Sequence, residues 1–173
     1  MKRIVIISVS AIFILTLAFL VFGIARKTKE RGLRDEQISR LPSFSFTSLD
    51  GTSFHSESIT EGPVLIVKFH PECEHCQYEI SELMKSKIPD SGVRILLISS
   101  AERDVVRKFL EQFNIDEKQG VIPLLDTAFI FNEIFGKDIV PSNYIYNKEL
   151  KLVKTLFGEY KIETILNYLE KGE

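Results

Sequence analysis

Val64-Leu65-Ile66-Val67-Lys68-Phe69 is an almost unbroken apolar run rich in β-branched residues, and it constrains the fold more than any other segment of the chain. A strand that alternates apolar and polar residues keeps one face wet. A run of this kind keeps neither, and belongs in the middle of a sheet that is covered on both sides. The flanking sequence supplies the cover. Residues 74–87 place Ile80, Leu83 and Met84 on one helical face, and Val93–Ile98 returns as a second buried strand, giving a βαβ unit.

The pattern continues to the C-terminus. Residues 102–113 carry Val106, Phe109, Leu110 and Phe113 at i, i+3, i+4 and i+7, the spacing of a helix face. A short strand is expected at 121–125, a short helix at 127–135, and a hairpin from 142–146 and 150–157 around Asn147-Lys148-Glu149. A closing helix is expected at 161–171. Ahead of the central run, Phe44, Phe46 and Phe54 flank Asp50-Gly51, a strong signal for a small N-terminal hairpin. The order predicts an α/β domain, a mixed sheet flanked by helices, beginning near Leu41 and running over 41–173.

Before that domain, Ile4 to Ile24 is free of charge and bracketed by Lys2 and Arg3 on one side and Arg26, Lys27 and Lys29 on the other. At about 1.5 Å per residue such a helix spans a hydrocarbon core of roughly 30 Å. Gly23-Ile24-Ala25 is a poor signal-peptidase site, so the reading is an uncleaved transmembrane anchor over 1–25 and a charged tether over 26–40. Residues 35–173 hold fifteen Lys/Arg against twenty-three Asp/Glu. An acidic body of this kind excludes a nucleic-acid partner, which needs clustered cations. The C-terminal flank is the richer in Lys/Arg, and that count taken alone would leave the acidic body in the cytoplasm, so charge does not settle the side of the membrane.

Both cysteines of the chain lie in Cys73-Glu74-His75-Cys76, directly after the central strand and at the start of the expected helix. A helix start lets two cysteines three apart approach each other, while its unpaired N–H groups and dipole favour a thiolate on the first. Cys73 is the expected nucleophile and Cys76, one turn in and more buried, the expected resolving thiol. A structural disulfide is a weak use of the pair, because so short a loop closes little chain entropy. Metal binding is the stronger rival: Cys73, Cys76, His75, His70 and His55 offer N and S donors for Zn or Cu. Glu79, one turn beyond Cys76, is either a partly buried carboxylate that raises the thiol pKa or takes its proton, or a solvated helix glutamate.

The stretch Phe69–Glu79 resembles the active-site region of thioredoxin-like proteins of the TlpA and ResA type, in the AhpC/TSA redoxin superfamily, and the resemblance covers about 41–170. It implies a membrane-anchored thiol-disulfide oxidoreductase facing out of the cytoplasm, in the periplasm. Its partners would be protein disulfides and dithiols and a thiol-recycling redox protein, and it would need no metal or organic cofactor. It further implies a catalytic role for Glu79 and a cis Val140-Pro141 bond beside the cysteines that presents backbone to a substrate, with His75 contributing to substrate contact. Departures exist. No tryptophan precedes Cys73; a peroxidase signature would need Pro at 66 and Thr at 70, where Ile66 and His70 stand; haem attachment would need His at 77, where Gln77 stands. A Cu/Zn-binding or delivery module and a peroxiredoxin-related, non-catalytic interaction domain remain as alternatives.

Overall fold

The apolar run does form a strand, and all five of its residues are buried. The computed structural model describes residues 15–26, 28, 32, 35–115, 120–137 and 139–172. The chain divides into two compact units, Met1–Gln37 and Ile38–Glu173. In chain order the second unit includes β1 (Ser45–Ser48), β2 (Ser53–His55), β3 (Val64–Lys68), α1 (Glu74–Lys85), β4 (Arg94–Ser99), α2 (Arg103–Gln112), β5 (Val121–Leu125), α3 (Phe131–Phe135), β6 (Ser142–Tyr146), β7 (Leu152–Phe157) and α4 (Ile162–Lys171).

The strands form one seven-stranded mixed sheet in the order β2-β1-β5-β4-β3-β6-β7. β3, β4 and β5 are parallel neighbours, and β6 runs antiparallel to β3 with Lys68 opposite Ser142. Alternation divides the core. Leu65 and Val67 point to the face covered by α1, α2 and α4, where Cys76, Ile80, Phe109 and Ile165 pack. Val64 and Ile66 point to the other face, closed by Phe44 and Phe46 of the N-terminal hairpin region and by Phe131 and Phe135 of α3. The register puts the ends of β3, β4 and β5 and the start of β6 at one end of the sheet, where the dithiol loop lies.

Two boundaries differ from expectation. The helix expected at 127–135 begins only at Phe131. Asp126 is the reason: its carboxylate accepts from the N–H of Ile130 (2.9 Å) and of Phe131 (3.2 Å), so 127–129 is a turn and Phe129 takes φ of 55°. Residues 38–40, read as tether from their charge, join the domain. Ile38 is buried, its carbonyl accepts from Tyr146 Oη, and the Leu152 N–H donates to the Ser39 carbonyl.

Of the expected membrane segment, residues 1–14 lie outside the described residues, as do 27, 29–31 and 33–34 of the tether. Residues 15–26 are helical and expose Leu15, Leu17, Phe19, Leu20 and Phe22. No helix among the described residues is long and apolar enough to cross a membrane.

Lys68 ends β3 with its ammonium buried. It donates to Ser100 Oγ, lies 3.5 Å from Asp126 Oδ2 and sits 4.9 Å above the Phe131 ring. Asp126 thus ties the ends of β3, β4 and β5 to the first turn of α3. Asp126→Ala takes the counter-charge from a buried cation and the acceptor from two backbone donors. Denaturant unfolding should show a loss of about 3–5 kcal/mol, and an unchanged midpoint would refute this account of the cluster.

Candidate active site

After Lys68 the chain leaves the sheet through Phe69 and turns at His70-Pro71-Glu72-Cys73, where the Cys73 N–H donates to the His70 carbonyl (3.1 Å). Proline pre-sets φ at the second position of such a turn. The turn is fastened from the helix side: Gln77 Nε2 donates to the Pro71 carbonyl (2.8 Å). Cys73 then occupies the N-cap position of α1, in extended conformation, and its carbonyl accepts from the Gln77 N–H (3.0 Å).

The two thiols are free and differ in exposure as expected: Cys73 is half-buried, Cys76 fully buried. Burial pushes the Cys76 thiol up to about 12; Cys73 and Glu79 nearby push the same way, and a hydrogen bond from the His70 backbone opposes them. Cys76 therefore holds its proton at neutral pH until a base takes it.

Glu79 is the buried carboxylate of the two readings left open by the sequence, 1 % exposed. Asn143 Nδ2 donates to its Oε1 (2.8 Å) and the Tyr160 N–H donates to its Oε2 (2.7 Å). Desolvation raises its pKa above the ordinary glutamate value; the Asn143 and Tyr160 hydrogen bonds oppose the rise, and the Glu159 charge adds to it. Sequence reading missed Asn143. The available signal was a lone amide inside Ser142–Tyr146, since a polar side chain in a buried strand needs a partner.

Val140-Pro141 is cis, as the resemblance implied. Pro141 is buried and its carbonyl accepts from the Gly158 N–H (2.9 Å), while Val140 packs against the core cluster that holds Cys76. The Lys68–Ser142 register brings this loop to the end of β3 from which the cysteine turn departs. His75 points outward, and its Nδ1 lies 2.6 Å from Glu159 Oε2. Loop 158–160 therefore meets α1 twice, through Glu159 and through the Tyr160 N–H.

The residues offered for a metal are not brought together. His55 lies on edge strand β2, with β1, β5 and β4 between it and β3. His75 engages Glu159, and His70 Nδ1 accepts from the Glu72 N–H (3.3 Å). Among the described residues no three His, Cys, Asp or Glu side chains gather so as to hold a metal ion.

Because the folded protein binds the Glu79 proton more tightly than the unfolded chain, this carboxyl favours folding below its ordinary value of 4.5. That contribution is lost as pH rises from there through the raised folded value. Denaturant titrations of the reduced protein should show stability falling over that window, and Glu79→Gln should flatten the fall. An identical slope in the variant would refute it.

The model of the AhpC/TSA family matches residues 39–153. The thiol-disulfide oxidoreductase ResA of Bacillus thuringiensis strain Al Hakam is 24 % identical over 139 residues, covering 75 % of each chain. Among solved structures, a secreted Mycobacterium tuberculosis disulfide oxidoreductase homologous to E. coli DsbE superposes with TM-score 0.65 at 16 % identity, covering 79 % of this chain and 98 % of that one. A peroxiredoxin-like protein from Aquifex aeolicus gives 0.66 at 16 % identity, over 78 % and 86 %. The fold is thioredoxin-like, and the chain belongs to the AhpC/TSA family as a redoxin of the TlpA and ResA type.

Proposed function

We propose that the protein is a thiol-disulfide oxidoreductase that exchanges disulfides with protein substrates outside the cytoplasm while its N-terminal segment moors it to the membrane. The observation that carries the exchange reading is the contrast between the two cysteines. A half-buried thiol at the mouth of α1 can meet a substrate, and a buried, protonated thiol one turn in can meet only its neighbour.

In the reducing direction the Cys73 thiolate attacks one sulfur of a substrate disulfide, forming a mixed disulfide and releasing the first substrate thiolate. Cys76 passes its proton to Glu79 and attacks Cys73 Sγ. The Cys73–Cys76 bond forms, the bond to substrate breaks, and the second substrate thiolate leaves and takes up a proton. The electrons come from the dithiol itself, so a second redox protein must reduce the Cys73–Cys76 bond for the next cycle. The cis Val140-Pro141 loop offers backbone to the substrate chain, with His75 at the exposed rim. Ile66 and His70 stand where a peroxidase signature needs Pro and Thr, which favours exchange over peroxide chemistry.

The mooring rests on the uncharged stretch from Ile4 to Ile24, and the outward placement on the need for an environment where disulfides persist. Cys73→Ser should abolish insulin-disulfide reduction, and Cys76→Ser should trap a covalent complex with substrate. Wild-type activity in both variants would discard the mechanism. A cysteine placed in the 26–40 segment of a Cys73→Ser, Cys76→Ser chain should react with a membrane-impermeant maleimide in intact cells. Labelling only after lysis would overturn the outward placement.

A further inference from the structure

Asn143 is fully buried on the face of β6 that meets α1, and its amide is used on one side only. Nδ2 donates to Glu79 Oε1 at 2.8 Å, whereas Oδ1 has no hydrogen-bond partner among the described residues. A buried acceptor left unpaired is costly. We propose that Asn143 is a two-state positioning residue for Glu79, donating to the ionised carboxylate and turning its amide over to accept from the protonated one. The inference rests on the dithiol reading above and adds a residue to it.

The chemistry of the two groups requires some such change. An ionised carboxylate only accepts, and the Nδ2 donor facing Oε1 suits it. When Cys76 gives its proton to Glu79, the carboxyl gains a donor, and an Nδ2–H group in place opposes a proton on Oε1. A half turn about the last side-chain bond of Asn143 exchanges Oδ1 and Nδ2 at nearly the same positions, so it asks for no extra room. Oε2 stays held by the Tyr160 N–H throughout. One half of the amide is unpartnered in each state, so that cost falls on both states alike and favours neither strongly. Leucine at this position would remove a donor to the charged form and an acceptor for the neutral form. The first loss is the larger, because hydrogen bonds to charged groups are the stronger.

Among the described residues, the charges that act on Glu79 come from Cys76 on its own helix and Glu159 in the turn after β7; Glu159 also engages His75 of α1, and Tyr160, whose N–H holds Oε2, packs its side chain against the same core. From β3, apolar Leu65 and Val67 meet this face, and Lys161 and Glu163 at the start of α4 are exposed. Lys68 lies on the opposite face of the sheet, over Phe131.

The test is a pH titration of the Glu79 side-chain carboxyl by ¹³C NMR in the reduced full-length protein, with the Asn143 side-chain amide followed by ¹⁵N. In the wild type the Asn143 amide resonances should move with the same midpoint as Glu79, and in Glu79→Gln that movement should vanish. Asn143→Leu should raise the Glu79 midpoint by about one pH unit. Asn143→Asp, equal in shape, should raise it further because a second carboxylate competes for the proton, and it carries the test should the leucine variant not fold. An unmoved Glu79 midpoint, or an Asn143 amide indifferent to pH across it, overturns the proposal. These readouts do not use turnover, so inert Cys73 in an insulin assay would sink the oxidoreductase reading while leaving the Asn143 result to stand or fall by itself.

Discussion

Strand β3 has no wet face and no free edge: β4 pairs along one side, β6 along the other, and both faces are packed. A one-residue slip would carry Leu65 and Val67 to the aromatic side and take Lys68 away from Ser100 and Asp126. The register is therefore fixed, and with it the point at which the chain leaves the sheet. Cys73, five residues past the strand, inherits its position from that constraint, and Pro141 inherits the same through β6.

The dithiol end of the sheet contains two buried carboxylates in contrasting surroundings. Asp126 has a cation, a hydroxyl and two backbone N–H groups around it. Glu79 is held by the neutral donors of Asn143 and Tyr160 while Glu159 stands nearby. A charge beside a fixed cation is a structural tie. A charge held by neutral donors alone can come and go, which is the property needed of a group that relieves Cys76 of its proton. The two faces of one sheet thus separate the carboxylate that joins strands from the one to which we assign the proton transfer.

Much of this was readable in advance because it is periodic or local. The apolar run at 64–69, the helix-face spacing of Val106, Phe109 and Leu110, and Cys-x-x-Cys at a strand-to-helix junction each carry their meaning within a few residues. What escaped is long-range in sequence. Nothing around Glu79 reveals that Asn143 and Tyr160, 64 and 81 residues away, close over it. The same holds for Lys68, which reads as a blemish in an apolar strand until Asp126 arrives from β5. The late start of α3 escaped because 127–135 has helix-compatible composition, and only the Asp126 side chain chooses where the first turn begins. His55 and His75 looked like ligands through proximity in composition, and the sheet order parts them.

The hydrogen bond from Gln77 to the Pro71 carbonyl ties the turn ahead of Cys73 to the helix behind it, fastening the two into one lip. A lip of that kind does not mould itself to whatever approaches. If the protein exchanges disulfides as proposed, the bending would fall to the visitor, and disulfides in loose or unfolded stretches, which can drape over a stiff edge, would be admitted in preference to those locked in a tight core. Client selection would then be decided by the suppleness of the client, with little need for a dedicated recognition sequence.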